Sequence, residues 1–243
     1  MKLAMYENVG EAARLPYPPL STRCQLIVED AIRCTWGLIK TKPRTGFDLP
    51  TADEDEVTHE VHERLYNEVF DHDLVAGFDR EVFASVSREP KIRNFDGSHL
   101  DKMPDLLVEF VDRPAGVMNS QYGLFIECKP VDGSHTVGTC YCDKGLIRFV
   151  RGDYAWAMQD AMMVGYSRKG YDLISELVEN LAAPRRVSIP TMVGPTPCPG
   201  SQASNITEQV VTTIHERTFR YVESNTLPGR IRVRHLWLKR ETA

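Results

Sequence analysis

The sequence lacks any long hydrophobic run and has no excess of positive charge. No apolar run approaches the roughly 18 residues of a membrane-spanning helix, and the first residues lack the uninterrupted apolar core of a signal peptide. We therefore expect a cytoplasmic protein with no membrane partner. The formal net charge is −5, so nucleic acid can bind only through a local basic patch.

Cysteine is also sparse, with six residues scattered through a chain of 243. A domain of this size does not need disulfides to fold, so we expect reduced thiols. Cys140 and Cys142 lack the second ligand pair that a structural zinc site requires. His59 and His62 lie among acids on a helix, where surface histidines are expected. A lysine-containing glycine-rich phosphate loop and a nucleophile elbow are both missing.

The composition is that of an ordinary folded protein, with 42% hydrophobic and 26% charged residues. We predict one domain over residues 1–243. Within it, residues 1–50 form an N-terminal helical elaboration and residues 54–238 form the core.

Hydrophobic spacing predicts an α/β (α+β) fold with a mixed central sheet flanked by helices. Residues 21–40 and 51–70 have the spacing and capping residues of helices, and alternation predicts three strands in "REVFASVS", "DLLVEFV" and "YGLFIECKPV". We expect residues 141–181 to be mostly helical, "SIPTMVGPTPCPGSQAS" to be a loop, and "TEQVVTTIHERTF" and "GRIRVRHLWLK" to be the last two strands.

An acid and a lysine lie inside the apolar third strand. Side chains two residues apart share one face of a strand, so Glu127 and Lys129 project together. Asp105 opens the preceding strand, and adjacent strands are about 4.8 Å apart, so two carboxylates could hold one divalent ion. Burying such charges is costly unless they are paired or bound to metal. A buried Glu127–Lys129 ion pair is the alternative explanation.

These residues resemble a known signature. "PD" at Pro104 and Asp105, followed by "ECK" at Glu127, Cys128 and Lys129, is similar to the signature of the PD-(D/E)xK nuclease superfamily, which has the restriction-endonuclease-like fold. The resemblance covers roughly residues 54–166. This superfamily includes stand-alone bacterial restriction and phage-defence nucleases.

The resemblance implies a Mg²⁺-dependent phosphodiesterase, with Mn²⁺ as an alternative metal. Asp105, Glu127 and the backbone carbonyl of Cys128 would bind the ion. Lys129 would either deprotonate the attacking water or stabilise the developing charge, and the sequence leaves both roles open. The superfamily also implies a glutamate on the preceding helix, for which we select Glu60. The other candidates are Glu56, Glu63 and Glu68.

Two stretches could form a basic patch for nucleic acid. The first contains Lys144, Arg148 and Arg151, with Arg168 and Lys169 further along. The second is the C-terminal stretch, which could equally be an edge strand whose charges discourage aggregation; its basic residues are Arg230, Arg232, Arg234, Lys239 and Arg240.

The sequence thus favours a nuclease that cleaves DNA, acting as an endonuclease in bacterial restriction or antiviral defence. The alternative is a catalytically idle nuclease-like subunit that binds nucleic acid or a partner such as a helicase, ATPase or sensor. RNA is the less favoured substrate, since no aromatic-rich RNA-recognition signature is present. The sequence leaves open whether the chain forms a homo-oligomer.

Overall fold

The computed structural model describes residues 14–168, 170–182, 186–198 and 210–241. They form an α+β fold around one seven-stranded mixed sheet, which confirms the predicted fold class. The strands are β1 (Phe83–Arg88), β2 (Leu106–Phe110), β3 (Gly123–Val131), β4 (Asp160–Ser167), β5 (Thr191–Pro197), β6 (Val210–Glu216) and β7 (Arg230–Lys239). The α-helices are α1 (Thr22–Thr41), α2 (Glu54–Arg64), α3 (Ile147–Arg151) and α4 (Leu173–Ala182).

The sheet joins two antiparallel parts through a parallel centre, in the strand order β1-β2-β3-β4-β7-β6-β5. The predicted meander is confirmed, since β1, β2 and β3 pair in antiparallel succession. Strands β3, β4 and β7 then run parallel, and β6 and β5 close the sheet antiparallel to their neighbours. The parallel step from β3 to β4 places a helical crossover over the sheet.

The crossover and the early helices cover opposite faces of the sheet. Trp36 of α1 stacks on Tyr166 of β4 on one face, where α2 also packs. On the other face, Tyr141 of the π-helix Val137–Leu146 hydrogen bonds with His235 of β7. That π-helix continues directly into α3. The protein is therefore three-layered, with the sheet enclosed between helices.

Both N-terminal helices begin at the polar residues that their sequences favour. The Ser21 side chain caps α1 by accepting from the backbone N–H of Cys24. Asp53 caps α2 through a reciprocal capping box with Glu56. The first stretch predicted to be helical is confirmed; the second is helical as well, since α2 continues as the π-helix Leu65–Phe70.

Two stretches differ from the prediction. Residues 160–167, which we expected to be helical, form the central strand β4, and part of the predicted loop forms the edge strand β5. Strand β4 is buried throughout. A strand covered on both faces has no polar alternation, so its apolar run resembles a buried helix.

The C-terminal stretch is not an edge strand, because β7 lies between β4 and β6, and of its basic residues Arg230 and Arg232 are exposed. Arg234 is buried against Glu29 at 2.5 Å. Arg240 is also buried and donates to the backbone carbonyls of Leu49 and Ala52. These arginines tie the strand to the N-terminal part of the chain and are not exposed to nucleic acid.

Other expectations concern thiols and membranes. All six cysteines are free thiols, as predicted. Within the described ranges, no helix is both long and apolar enough to cross a lipid bilayer.

Beneath the π-helix, a chain of buried hydrogen bonds links two histidines. His235 contacts Tyr141 at 3.0 Å and the Thr213 hydroxyl at 2.7 Å, and the same hydroxyl lies 2.6 Å from Nε2 of His215. Burial lowers the pKa of His215 to about 4. Burial, and after it the charge of His215, lowers the pKa of His235 well below its usual value. Both imidazoles are therefore neutral in the folded protein at neutral pH.

We predict that acid destabilises the fold through these histidines. The unfolded chain binds protons near pH 6.5, whereas folded His215 does so only near pH 4, so the free energy of unfolding should fall as pH drops through this window. The slope reaches about 1.4 kcal/mol per pH unit for each histidine. Urea unfolding from pH 7 to pH 4 measures it. His215→Gln should give a shallower decline, and the exposed His59→Gln should not; equal slopes in all three proteins would refute the assignment.

Candidate active site at the end of β2 and β3

The candidate site lies where β2 and β3 separate. Their last paired residues in this direction are Leu106 and Ile126, so the backbone N–H of Cys128 has no partner on β2. The Asp105 side chain takes that place, accepting from the Cys128 N–H at 2.5 Å. Asp105, which directly precedes β2, thus reaches across to β3, as the sequence predicted.

Lys129 lies at the centre of the resulting charge cluster. Its ammonium nitrogen is 3.4 Å from Asp105, 3.0 Å from Glu127 and 2.5 Å from Glu54. It also donates to the backbone carbonyl of Cys128 at 2.7 Å. The predicted convergence of Asp105, Glu127 and Lys129 is present in the structure. We name these three residues with Glu54 the carboxylate–lysine cluster.

The cluster is deeply placed on one side and reaches solvent on the other. Glu127 is 0% exposed and Lys129 is 7% exposed, whereas the side chains of Asp105 and Glu54 are 18% and 31% exposed. Charges this deep are stable only with partners of opposite sign. The cluster therefore meets solvent at Asp105 and Glu54.

Burial and neighbouring charges together raise the pKa values of both Glu127 and Lys129. Burial, and after it the charge of Asp105, raises the pKa of Glu127 to about 7. Burial acts to lower the pKa of Lys129, but the charges of Glu127, Asp105 and Glu54 together outweigh it and raise that pKa above its usual value. Lys129 is therefore a persistent ammonium group at neutral pH.

Two residues from the segment after the π-helix, Arg148 and Tyr154, reach the cluster from the side opposite Glu54. Tyr154 donates a hydrogen bond from its hydroxyl to Oε2 of Glu127. Arg148 of α3 places Nη1 at 3.1 Å from Oε1 of Glu127. Gly145 of the π-helix allows this approach, because a Cβ there would lie 2.8 Å from Cε of Met163 and 3.2 Å from Cγ of Lys129.

The glutamate of α2 that reaches the cluster is Glu54, and not Glu60, which the sequence analysis selected. Glu60 is buried and paired with Arg64 at 2.5 Å and with Arg44 at 3.5 Å. Glu54 lies in the first turn of α2, where acids are expected for helix capping alone. Its position just after the cap, pointing toward the end of the sheet, was the signal that the sequence analysis missed.

The first predicted basic patch is divided by the structure. Lys144 and Arg151 are exposed, whereas Arg148 belongs to the site through Glu127. Arg168 donates to the backbone carbonyl of Pro50, and Lys169 lies outside the described residues. Tyr154 was not predicted at all, because only the fold brings it to Glu127.

Carboxylate and carbonyl oxygens are the ligands that Mg²⁺ prefers, so the donor set fits a hard divalent ion in its chemistry. The buried Oε1 of Glu127 receives no well-directed hydrogen bond, although the Lys129 and Arg148 cations lie 3.0 and 3.1 Å from it. Among the described residues, however, no group of three or more His, Cys, Asp or Glu is arranged to hold a metal ion. The Lys129 ammonium lies among the three carboxylates instead.

Comparison with known proteins identifies no relative. No protein-family model, curated protein or solved structure matches the chain. The resemblance to the PD-(D/E)xK nucleases therefore stays a prediction that rests on the site itself.

We predict that Lys129→Met lowers the free energy of unfolding at pH 7 by about 3 kcal/mol, because it leaves buried carboxylates without their central cation. Denaturant unfolding measures the change. Lys144→Met removes the same charge from an exposed position and should shift stability by less than about 0.5 kcal/mol. Similar losses in both variants would contradict the central role of Lys129 in the cluster.

Proposed function

We propose that the chain is a metal-dependent nuclease of the PD-(D/E)xK type that cleaves DNA as an endonuclease in bacterial restriction or defence. The observation that carries this proposal is the meeting of Asp105, Glu127 and Lys129 at the end of β2 and β3, within 3.4 Å of the lysine nitrogen. A protein that needed these positions only for packing would more economically use apolar residues there.

The residues divide into distinct roles. Asp105 and Glu127, with the carbonyl of Cys128, would hold Mg²⁺ or Mn²⁺, which when bound lowers the pKa of a water and offsets phosphate charge. The raised pKa of Lys129 supports a role as a permanent cation that stabilises negative charge, in preference to the role of a base. Glu54 positions the Lys129 ammonium by a 2.5 Å hydrogen bond.

The positions of exposed positive charges indicate which surface would contact DNA. Because the chain carries a net charge of −5, phosphates must meet locally exposed cations. Lys144 and Arg151 lie exposed on the π-helix and on α3, the same helical segment that brings Arg148 to Glu127. We assign them to backbone contacts with DNA. The free thiols support a cytoplasmic location.

We predict that the purified protein nicks or linearises plasmid DNA in the presence of Mg²⁺. Asp105→Asn should reduce the rate by about 100-fold or more, because it removes a metal-binding charge. Lys129→Ala should reduce it similarly if the variant is folded at the assay temperature, as circular dichroism can show. Gel electrophoresis of plasmid over time measures the rates.

The matched control is Asp101→Asn, which removes an exposed carboxylate four residues before Asp105. It should cleave like the unaltered protein. If the unaltered protein and Asp105→Asn behave alike, the catalytic assignment is wrong.

A second candidate is an idle nuclease-like subunit that binds nucleic acid or a partner protein. It is favoured by the Lys129 ammonium, which already neutralises the carboxylates that would hold a metal. In this case a helicase, ATPase or sensor partner would supply the missing phosphate-binding surface.

Calorimetry with Mg²⁺ or Mn²⁺ separates the two candidates. The nuclease proposal predicts metal binding that is lost in Asp105→Asn and retained in Asp101→Asn. The idle-subunit candidate predicts no binding that depends on Asp105, with or without a DNA duplex present.

A further inference from the structure

Arg148 contacts the carboxylate–lysine cluster at Glu127, on the side opposite Glu54, and is less buried there than Lys129. Its Nη1 lies 3.1 Å from Oε1 of Glu127, and its side chain is 38% exposed. Lys129, by contrast, is 9% exposed in its side chain and contacts Glu54, Asp105, Glu127 and the Cys128 carbonyl. Of the two cations next to Glu127, Arg148 is therefore the one that can leave without exposing a buried charge.

Both oxygens of Glu127 are engaged in this arrangement, but in different ways. Oε2 accepts the Tyr154 hydroxyl, which fixes the orientation of the carboxylate. Oε1 faces Lys129 and Arg148 at 3.0 and 3.1 Å yet receives no well-directed hydrogen bond. Oε1 is thus the atom that another cation could bind, and departure of the Arg148 guanidinium removes one of the two positive charges that repel such a cation.

A phosphate group would give Arg148 a different partner. Guanidinium groups bind phosphate oxygens through paired, charge-assisted hydrogen bonds. The exposed end of Arg148 lies on the helical segment that also carries the exposed Lys144 and Arg151. A nucleic-acid backbone bound along this segment would bring a phosphate to Arg148.

We propose that Arg148 exchanges Glu127 for a phosphate oxygen of the nucleic-acid substrate, and that this exchange opens Oε1 of Glu127 to a divalent cation. The inference rests on the proposed nuclease function and adds an order to it, in which substrate makes the metal site accessible. Before substrate binds, Arg148 lowers the affinity of the site for metal.

The exchange couples the two ligands. Since each ligand favours the state in which Arg148 has left Glu127, nucleic acid must raise the affinity for metal and metal must raise the affinity for nucleic acid by the same factor. A coupling of about 5-fold or more is typical of such linkage. Arg148 is in this scheme a substrate-binding residue that also regulates metal access.

The test measures metal affinity and not cleavage. Ca²⁺ is the probe because it takes the same oxygen ligands, and the full-length protein is titrated by calorimetry with and without a short DNA duplex. For the unaltered protein, the duplex should raise Ca²⁺ affinity about 5-fold or more. Arg148→Gln should bind Ca²⁺ about 5-fold or more tightly than the unaltered protein without duplex, and the duplex should then add little.

Fluorescence anisotropy with the labelled duplex gives the reciprocal measurement. Ca²⁺ should strengthen duplex binding by the unaltered protein by the same factor that calorimetry gives, and should barely affect binding by Arg148→Gln. The salt dependence of duplex binding should decrease in the variant by about one phosphate contact.

Two further variants control for charge and for folding. Arg23→Gln removes an exposed charge from α1, outside the proposed DNA-binding segment, and should keep the Ca²⁺ affinity and the coupling of the unaltered protein. Arg148→Met keeps the apolar stem and should reproduce the gain in Ca²⁺ affinity. Thermal unfolding of each variant confirms that it is folded.

The outcomes separate the inference from the proposed function. If the unaltered protein binds Ca²⁺ but both Arg148 variants show the same affinity and the same coupling, the exchange does not occur, although the metal site stands. If the unaltered protein binds no Ca²⁺ in either state, the metal-dependent function fails and the inference fails with it.

Discussion

The structure depends on one buried ammonium group and the acids that surround it. Lys129 can stay in the protein interior only because Glu54, Asp105 and Glu127 neutralise it. These acids come from α2, from the start of β2 and from β3 itself. The same contacts that make the lysine tolerable therefore fix the relative positions of three elements at the end of the sheet.

The surrounding elements leave the carboxylate–lysine cluster partly exposed at Asp105 and Glu54 and cover it at Glu127. Asp105 replaces a missing strand partner for Cys128, so the two strands can separate without leaving the Cys128 N–H unpaired. The π-helix closes over Glu127 through Gly145, where a larger residue would clash. Helices with π geometry are found often at functional sites, and here the π-helix leads directly into α3, which carries Arg148.

The chemistry of the site, and not similarity to known proteins, supports the proposed nuclease function. No known protein matches the chain, so the proposed function depends on what a persistent ammonium and two close carboxylates can do next to a phosphate. The same groups could form an inert ion cluster, and the difference lies in whether a cation can reach Oε1 of Glu127. The partial exposure of Arg148 and the unfilled hydrogen-bonding capacity of that oxygen are the features that favour access.

The sequence by itself determined the features that depend on neighbours along the chain: the caps of α1 and α2, the β1–β3 meander, and the shared face of Glu127 and Lys129. Tertiary structure decided what depends on distant partners. Strand β4 carries no alternation because both of its faces are buried, and Glu54, Arg148 and Tyr154 join the site only across gaps of 75, 21 and 27 residues. Local periodicity reports which way a side chain points, but it contains no information about what folds against it.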